Sequence, residues 1–171
     1  TPPDTVFPVI TILGDNPAIV ELGSSYTDAG ATSDGGETVT SSGSVDTSLV
    51  GTYTITYSAT DDAGNTSTAT RTVNVVDTTD PTLLLTGSDL ITIEVGTAFT
   101  DPGATATDNY DEDITVITTG TVDVNTIGTY TLTYTATDSS NNTSSITRTV
   151  NVVDTTDPTL LLTGSDLITI E

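Results

Sequence analysis

The chain has 171 residues, of which 24 are acidic and only two, Arg71 and Arg148, are basic, for a formal net charge of −22. A surface of that sign repels nucleic acid and anionic membranes and attracts cations. Cys, His, Lys, Met, Trp and Gln are absent, which removes disulfides, thiol and imidazole chemistry, the usual zinc and iron sites, and Lys–Asn isopeptide or Thr–Gln ester cross-links.

In chain order, short strands are predicted at 9–13, 19–22, 26–32, 38–41 and 44–46, punctuated by Gly, Asp, Asn and Ser. The clearest strand follows, Thr52-Tyr53-Thr54-Ile55-Thr56-Tyr57-Ser58-Ala59-Thr60. Its period of two puts Tyr53, Ile55, Tyr57 and Ala59 on one face and hydroxyls on the other. Thr makes up 43 of the 171 residues, and its branched side chain suits a solvated strand face. Asp61-Asp62-Ala63-Gly64-Asn65 reads as a tight hairpin into a last strand at 68–76. There Arg71 is in phase with Val73 and Val75, so its stem is expected to cover the core edge and its head to form a salt bridge at the sandwich end. No segment carries a helical stripe, and none is apolar over the length of a membrane span.

The pattern then repeats. Residues 70–94 return letter for letter as 147–171, an offset of 77. A period of that length marks a tandem array of small domains. The expected units are 1–77, 78–154 and the opening 17 residues of a third, 155–171. The early stop of the third copy leads us to expect a piece of a longer array, with the last segment either loose or paired to a neighbouring strand edge. About seven short strands in each complete unit argue for an all-β fold of tandem antiparallel sandwiches. In Asp46…Gly51-Thr52-Tyr53-Thr54-Ile55 and Asp123…Gly128-Thr129-Tyr130-Thr131-Leu132, a Tyr stands two residues before a core position. That is the placement of the tyrosine corner of immunoglobulin-type domains.

The strings Leu22-Gly23…Tyr26-Thr-Asp28-Ala-Gly30-Ala-Thr32, then 51–66, then Arg71-Thr-Val-Asn-Val-Val-Asp77 resemble a bacterial Ig-like module. That module is found in tandem in large secreted and surface adhesin-type proteins and in some pesticidal crystal proteins. The resemblance spans both units in register and implies Ig-like sandwiches that serve as spacers. The second unit departs from the first between Thr32 and Val45, where it is four residues longer and reads Ala106-Thr-Asp108-Asn-Tyr110-Asp111-Glu112-Asp113.

The acids are absent from 52–60, 68–76 and 129–137 and gather in loops and linkers. In an Ig-type sandwich the B–C and F–G loops share a pole with the N-terminus. That pole of the second unit receives Asp77 and Asp80 of the linker, Asp108, Asp111, Glu112 and Asp113 of one loop, and Asp138 of the hairpin. Carboxylates brought that close need neutralising, and Ca²⁺ takes six to eight hard oxygen ligands in flexible geometry. Asp77, Asp80, Asp108, Asp111, Asp113 and Asp138 are therefore the candidate metal ligands, with Ca²⁺ as the cofactor. The competing explanation is turn chemistry, in which each Asp accepts its own local N–H groups. The first unit, with Asp34, Glu37, Asp61 and Asp62, offers fewer acids in the corresponding loops.

Tyr110 is the one aromatic placed to meet a partner or to pack against the preceding unit. The three Asn-x-Thr/Ser sites, at Asn65, Asn141 and Asn142, are expected by chance in a Thr-rich chain. With no catalytic constellation, the chain reads as a non-enzyme. The expected role is that of structural extender repeats in a long bacterial extracellular adhesin or surface fibre, stiffened by Ca²⁺ at the inter-repeat junctions. Neighbouring repeats are the expected partners, with no nucleic acid, no membrane insertion and no evident glycan or host ligand. The alternative is a carbohydrate- or host-binding accessory module of a secreted protein.

Overall fold

The computed structural model describes residues 3–164, and every regular element in that range is a β-strand. The chain divides into two compact units, Thr1–Asp80 with Ser139–Asn142, and Pro81–Asp138 with Thr143–Glu171. Unit 1 contains β1 (Ile10–Ile12), β2 (Ala18–Glu21), β3 (Ala31–Ser33), β4 (Thr40–Ser42), β5 (Gly51–Thr60) and β6 (Thr66–Val76). Unit 2 contains β7 (Thr82–Leu85), β8 (Leu90–Glu94), β9 (Ala104–Thr107), β10 (Val116–Thr119), β11 (Gly128–Thr137) and β12 (Thr143–Val153).

Alternation organises both units. β5 and β6 pair antiparallel over ten residues, from Gly51↔Val75 to Thr60↔Thr66. Ile55, Tyr57, Ala59, Val73 and Val75 turn inward and are buried with Val20. The opposite face carries hydroxyl and amide pairs such as Thr52 with Asn74, 3.0 Å apart, and Thr60 with Thr66, 2.8 Å apart. Such cross-strand pairs stabilise the sheet without apolar burial on the wet side. β11 and β12 repeat the arrangement in unit 2, with Leu132, Tyr134, Ala136, Val150 and Val152 buried.

Each unit is a two-sheet sandwich, with a four-stranded sheet ordered β2-β6-β5-β4 or β8-β12-β11-β10 and a smaller pair β1-β3 or β7-β9. The sandwiches are not wholly antiparallel. The first segment of each unit switches sheets at 13–17 or 86–89, so β2 meets β6 and β8 meets β12 in parallel. The tyrosine corner is present in both units. Tyr53 Oη donates to the Leu49 carbonyl at 2.9 Å and Tyr130 Oη to the Thr126 carbonyl at 2.8 Å.

Six laddered strands form in each unit where the sequence predicts about seven. The segment 44–46 joins no ladder. Gly43, at φ +106°, steers the chain past the Thr54 carbonyl, which a Cβ there would meet at 2.4 Å. The predicted strand 26–32 contracts to β3, and just before it Asp28 and the Gly30 carbonyl hold Arg71. Residues 159–162 repeat the sequence of β7 yet join no ladder, since a strand needs a partner and β7 has β9. The rest of the third copy, 165–171, lies outside the described residues, and with it the expectation of pairing there.

Arg71 and Arg148 are not at the sandwich edge. They are 2 % and 0 % exposed. Arg71 Nε lies 3.1 Å from Asp28 Oδ1 and donates to Tyr57 Oη at 3.0 Å, while the rest of its fork reaches the carbonyls of Leu13, Asp15 and Gly30. Arg148 pairs with Asp101 and donates to the carbonyls of Ser88, Thr86 and Gly103. A buried cation is tolerable here because a carboxylate and several carbonyls replace its water.

Candidate metal centre

Within unit 2, three carboxylates from two loops approach one another. Asp108 directly follows β9, Asp111 lies three residues on, and Asp138 directly follows β11. Each offers an oxygen, and these oxygens lie within 4.8 Å of one another. Asp138 is buried and the other two are half-buried.

Local sequence explains the approach. Asp108 Oδ2 accepts the backbone N–H groups of Tyr110 at 2.9 Å and Asp111 at 3.3 Å, which folds Asp108-Asn109-Tyr110-Asp111 back on itself. Asp138 opens the turn between β11 and β12, whose Asn141 takes the left-handed conformation at φ 72°, where unit 1 has Gly64 at φ 89°. Like charges at this separation repel unless a cation or a proton intervenes. The donor set is all hard oxygen, the chemistry that suits Ca²⁺ and Mg²⁺ and not the softer transition metals.

The remaining expected ligands are Asp77, Asp80 and Asp113. Asp77, in unit 1, is 5 % exposed, and its Oδ1 accepts the Thr79 N–H at 3.1 Å. Asp80 and Asp113 are exposed. Asp113 lines, with Glu112, a surface cleft of about 490 Å³ beside Ala104, Thr105 and Ala106. Tyr110 is half-buried.

Unit 1 follows the turn-chemistry explanation. Asp61 Oδ1 accepts the N–H groups of Ala63 and Asn65 at 2.9 and 2.8 Å, and its Oδ2 accepts Asn65 Nδ2 at 2.8 Å. The Asn65 side chain and the local N–H groups hold this carboxyl below its ordinary range. Asp34 accepts the Val9 N–H at 2.8 Å, and Glu37 accepts the Ser33 hydroxyl at 2.5 Å. No acidic group of metal-binding spacing forms among the described residues of this unit. The four extra residues of the unit 2 loop, which contain Asp108-Asn109-Tyr110-Asp111, make the difference.

A feature the sequence signalled only faintly recurs at both linkers. Glu21, at the end of β2, accepts the Thr78 N–H at 2.9 Å and the hydroxyls of Thr78 and Thr79 at 2.7 and 3.3 Å. Glu94, at the end of β8, does the same for Thr155 and Thr156. The visible trace was the repeated Asp-Thr-Thr-Asp string; its acceptor lies 57 residues away and had no local signature.

The family model described as "Bacterial surface protein, Ig-like domain" matches twice, over residues 10–75 and 83–152. Among curated proteins, hyalin of Lytechinus variegatus is 38 % identical over 178 aligned residues, covering 92 % of this chain and 33 % of hyalin. Hyalin of Strongylocentrotus purpuratus is 36 % identical over 187, covering 98 % of this chain and 15 % of the relative. The chain thus spans a third or less of these relatives. Among solved structures, a lipoprotein of Bacteroides thetaiotaomicron matches 46 % of this chain and 40 % of its own at 42 % identity, with a TM-score of 0.41.

Proposed function

The chain belongs to the bacterial surface protein Ig-like domain family, and from that premise we propose that its repeats are structural extenders of a long extracellular adhesin or surface fibre. Two family matches in register within one chain support a serial, spacing role. The composition supports it further, because the two Arg residues are internal and no Cys, His or Lys is present to build a conventional catalytic group.

The same proposal makes the acidic loops of unit 2 a Ca²⁺ site that stiffens the array. Asp108, Asp111 and Asp138 are the core of the donor set. Asp80 and Asp113 add negative potential rather than ligand atoms. The observation that carries the reading is the convergence of carboxylates in a protein whose two cations are buried elsewhere. Carboxylates at this separation repel one another, and an ion with six to eight oxygen ligands removes that repulsion.

The test is calorimetric titration of chelator-stripped protein with CaCl₂, followed by small-angle scattering with and without the ion. Saturable uptake, abolished by D108N/D138N and accompanied by a longer maximum dimension, is expected. No uptake at millimolar Ca²⁺ defeats the metal half of the proposal and leaves the extender half to a glycan array. Binding of the chain to an immobilised glycan would defeat that half in favour of an accessory binding module.

A further inference from the structure

The two buried arginines fasten the way into each unit to the way out. In unit 1, β2 and β6 run parallel over four residue pairs, Ala18↔Val73 to Glu21↔Val76. Tension along the chain draws β2 toward its N-terminal end and β6 toward its C-terminal end. The pair is therefore sheared, and its hydrogen bonds share the load instead of opening one after another.

Residues 13–17, which lead into β2, are the first part of the four-stranded sheet to feel that pull. Against β6 they are held by side chains rather than by a strand ladder, while the Leu13 N–H donates to the Gly30 carbonyl at 2.9 Å on the other side. Arg71, on β6, donates to the carbonyls of Leu13 and, at 3.2 Å, Asp15. Asn16 closes on β6 from the other side, its Nδ2 donating to the Thr70 carbonyl at 3.0 Å and its Oδ1 accepting the Thr72 N–H at 2.9 Å. These contacts carry the sheared block from Val73 back to Thr70.

Unit 2 repeats the device with one change of chemistry. β8 and β12 are parallel from Leu90↔Thr149 to Glu94↔Val153. Arg148 donates to the Ser88 carbonyl at 3.0 Å and the Thr86 carbonyl at 2.6 Å. The Asp89 carbonyl accepts the Thr149 N–H at 2.8 Å, where unit 1 uses the Asn16 side chain. Both guanidiniums are almost fully buried, so water cannot replace these bonds one at a time, and the Asp partner keeps the charge in place.

We propose that Arg71 and Arg148, with Asn16 in unit 1, form a force clasp: each unit yields to tension only after its entry segment is torn from its last strand. The inference goes beyond the extender reading. It concerns one unit at a time and requires no metal.

The test holds the 171-residue chain by its two ends at constant force in EDTA, where two unfolding steps report the two units. N16A removes two bonds from unit 1 at an exposed position. It should shorten one of the two lifetimes under load about tenfold, as expected for two ordinary hydrogen bonds. I55V deletes a methylene from β5, off the load path, and is the control at similar equilibrium stability. R148K keeps the charge opposite Asp101 but loses the fork, and should shorten the other lifetime. If N16A shortens the lifetime under load no more than I55V does at matched urea stability, the clasp is an ordinary stabilising contact and the proposal fails. The comparison of N16A with I55V decides between these outcomes even if R148K does not fold, and loss of the Ca²⁺ effect leaves it untouched.

Discussion

Tyr134 donates its hydroxyl hydrogen to Asp101 Oδ1 at 2.6 Å, and the Arg148 guanidinium lies 5.4 Å from the centre of the same ring. Phenol, carboxylate and guanidinium thus form one buried network. Tyr57, Asp28 and Arg71 repeat it in unit 1, with Tyr57 2.6 and 2.8 Å from the two Asp28 oxygens.

This network contributes to the alkaline limit of the fold. Burial, followed by the hydrogen bond to Asp101, pushes the Tyr134 hydroxyl up to about 12. Tyr57 is raised for the same reasons, with Asp28 as its acceptor. In the unfolded chain a Tyr ionises near 10. The folded state keeps its protons above that pH, so this stability is whole below about pH 10 and is lost as the pH rises toward 12. Urea midpoints across that window should fall for the wild type. Y57F/Y134F should flatten most of the slope while lowering neutral-pH stability by about 2 kcal/mol per site, the worth of a hydrogen bond to a charged group.

Asp101 contributes to the acid limit. Burial alone would raise its carboxyl, but the Tyr134 hydroxyl, the Gly103 N–H and the Arg148 charge outweigh it and hold the group below its ordinary value. A carboxyl depressed in the folded state contributes stability above the unfolded value near 4, and loses it as the pH falls through the folded one. D101N should remove this acid loss from the unit 2 transition, followed by circular dichroism from pH 6 to about 2. At neutral pH the same variant should be destabilised by about 3–5 kcal/mol, because Arg148 is left buried without its counter-charge.

The sequence carried the sandwich and much of the acidic convergence, and the reasons are physical. Period-two alternation with Thr on the wet face identified β5, β6 and β11, because one long antiparallel pair fixes its own register. The placement of Tyr53 and Tyr130 announced their corner hydrogen bonds because each contact reaches back only four residues. Asp108 and Asp138 could be brought together because each directly follows a strand ending at a known pole. What stayed hidden was non-local. Arg71 reads as an amphipathic edge residue until Leu13, Asp15 and Gly30 supply carbonyls from far along the chain. Tyr26 and Ala29 sit in a stretch that reads as a strand, yet Asp28 is recruited by that same cation.

Gly43 and Gly120 close β4 and β10 at φ +106° and +97°. A Cβ would meet the Thr54 carbonyl at 2.4 Å in the first case and the Thr131 carbonyl at 2.3 Å in the second. Neither obstacle is the flexible end of a side chain; both belong to the central strand. G43A and G120A should therefore each destabilise their unit by about 2–4 kcal/mol, strain and clash together. G23A makes the contrast, since φ is +74° with nothing within 4 Å, and it should cost only about 1 kcal/mol. Equal urea midpoints for G43A and G23A would refute the close approach to Thr54.

The linkers provide the last prediction and their own control. Thr78 and Thr155 occupy the same place in successive copies, and each donates its N–H to a Glu at the end of the parallel strand, Glu21 at 2.9 Å and Glu94 at 2.7 Å. Those backbone bonds, then the Thr78 and Thr155 hydroxyls, draw both carboxyls below their ordinary range. The clamp is therefore complete at neutral pH and is released only as the pH falls through the depressed values. A loose tether exchanges its amide protons at nearly the rate of an unfolded chain, whereas these two should be protected. In E21A, hydrogen exchange followed by NMR should show protection lost at Thr78 and kept at Thr155; E94A should reverse the pattern. Unprotected amides at both positions in the wild type would mean that the carboxylates only pass near the linker. Protection lost at one position and kept at the other assigns residues 78–79 to the body of unit 1.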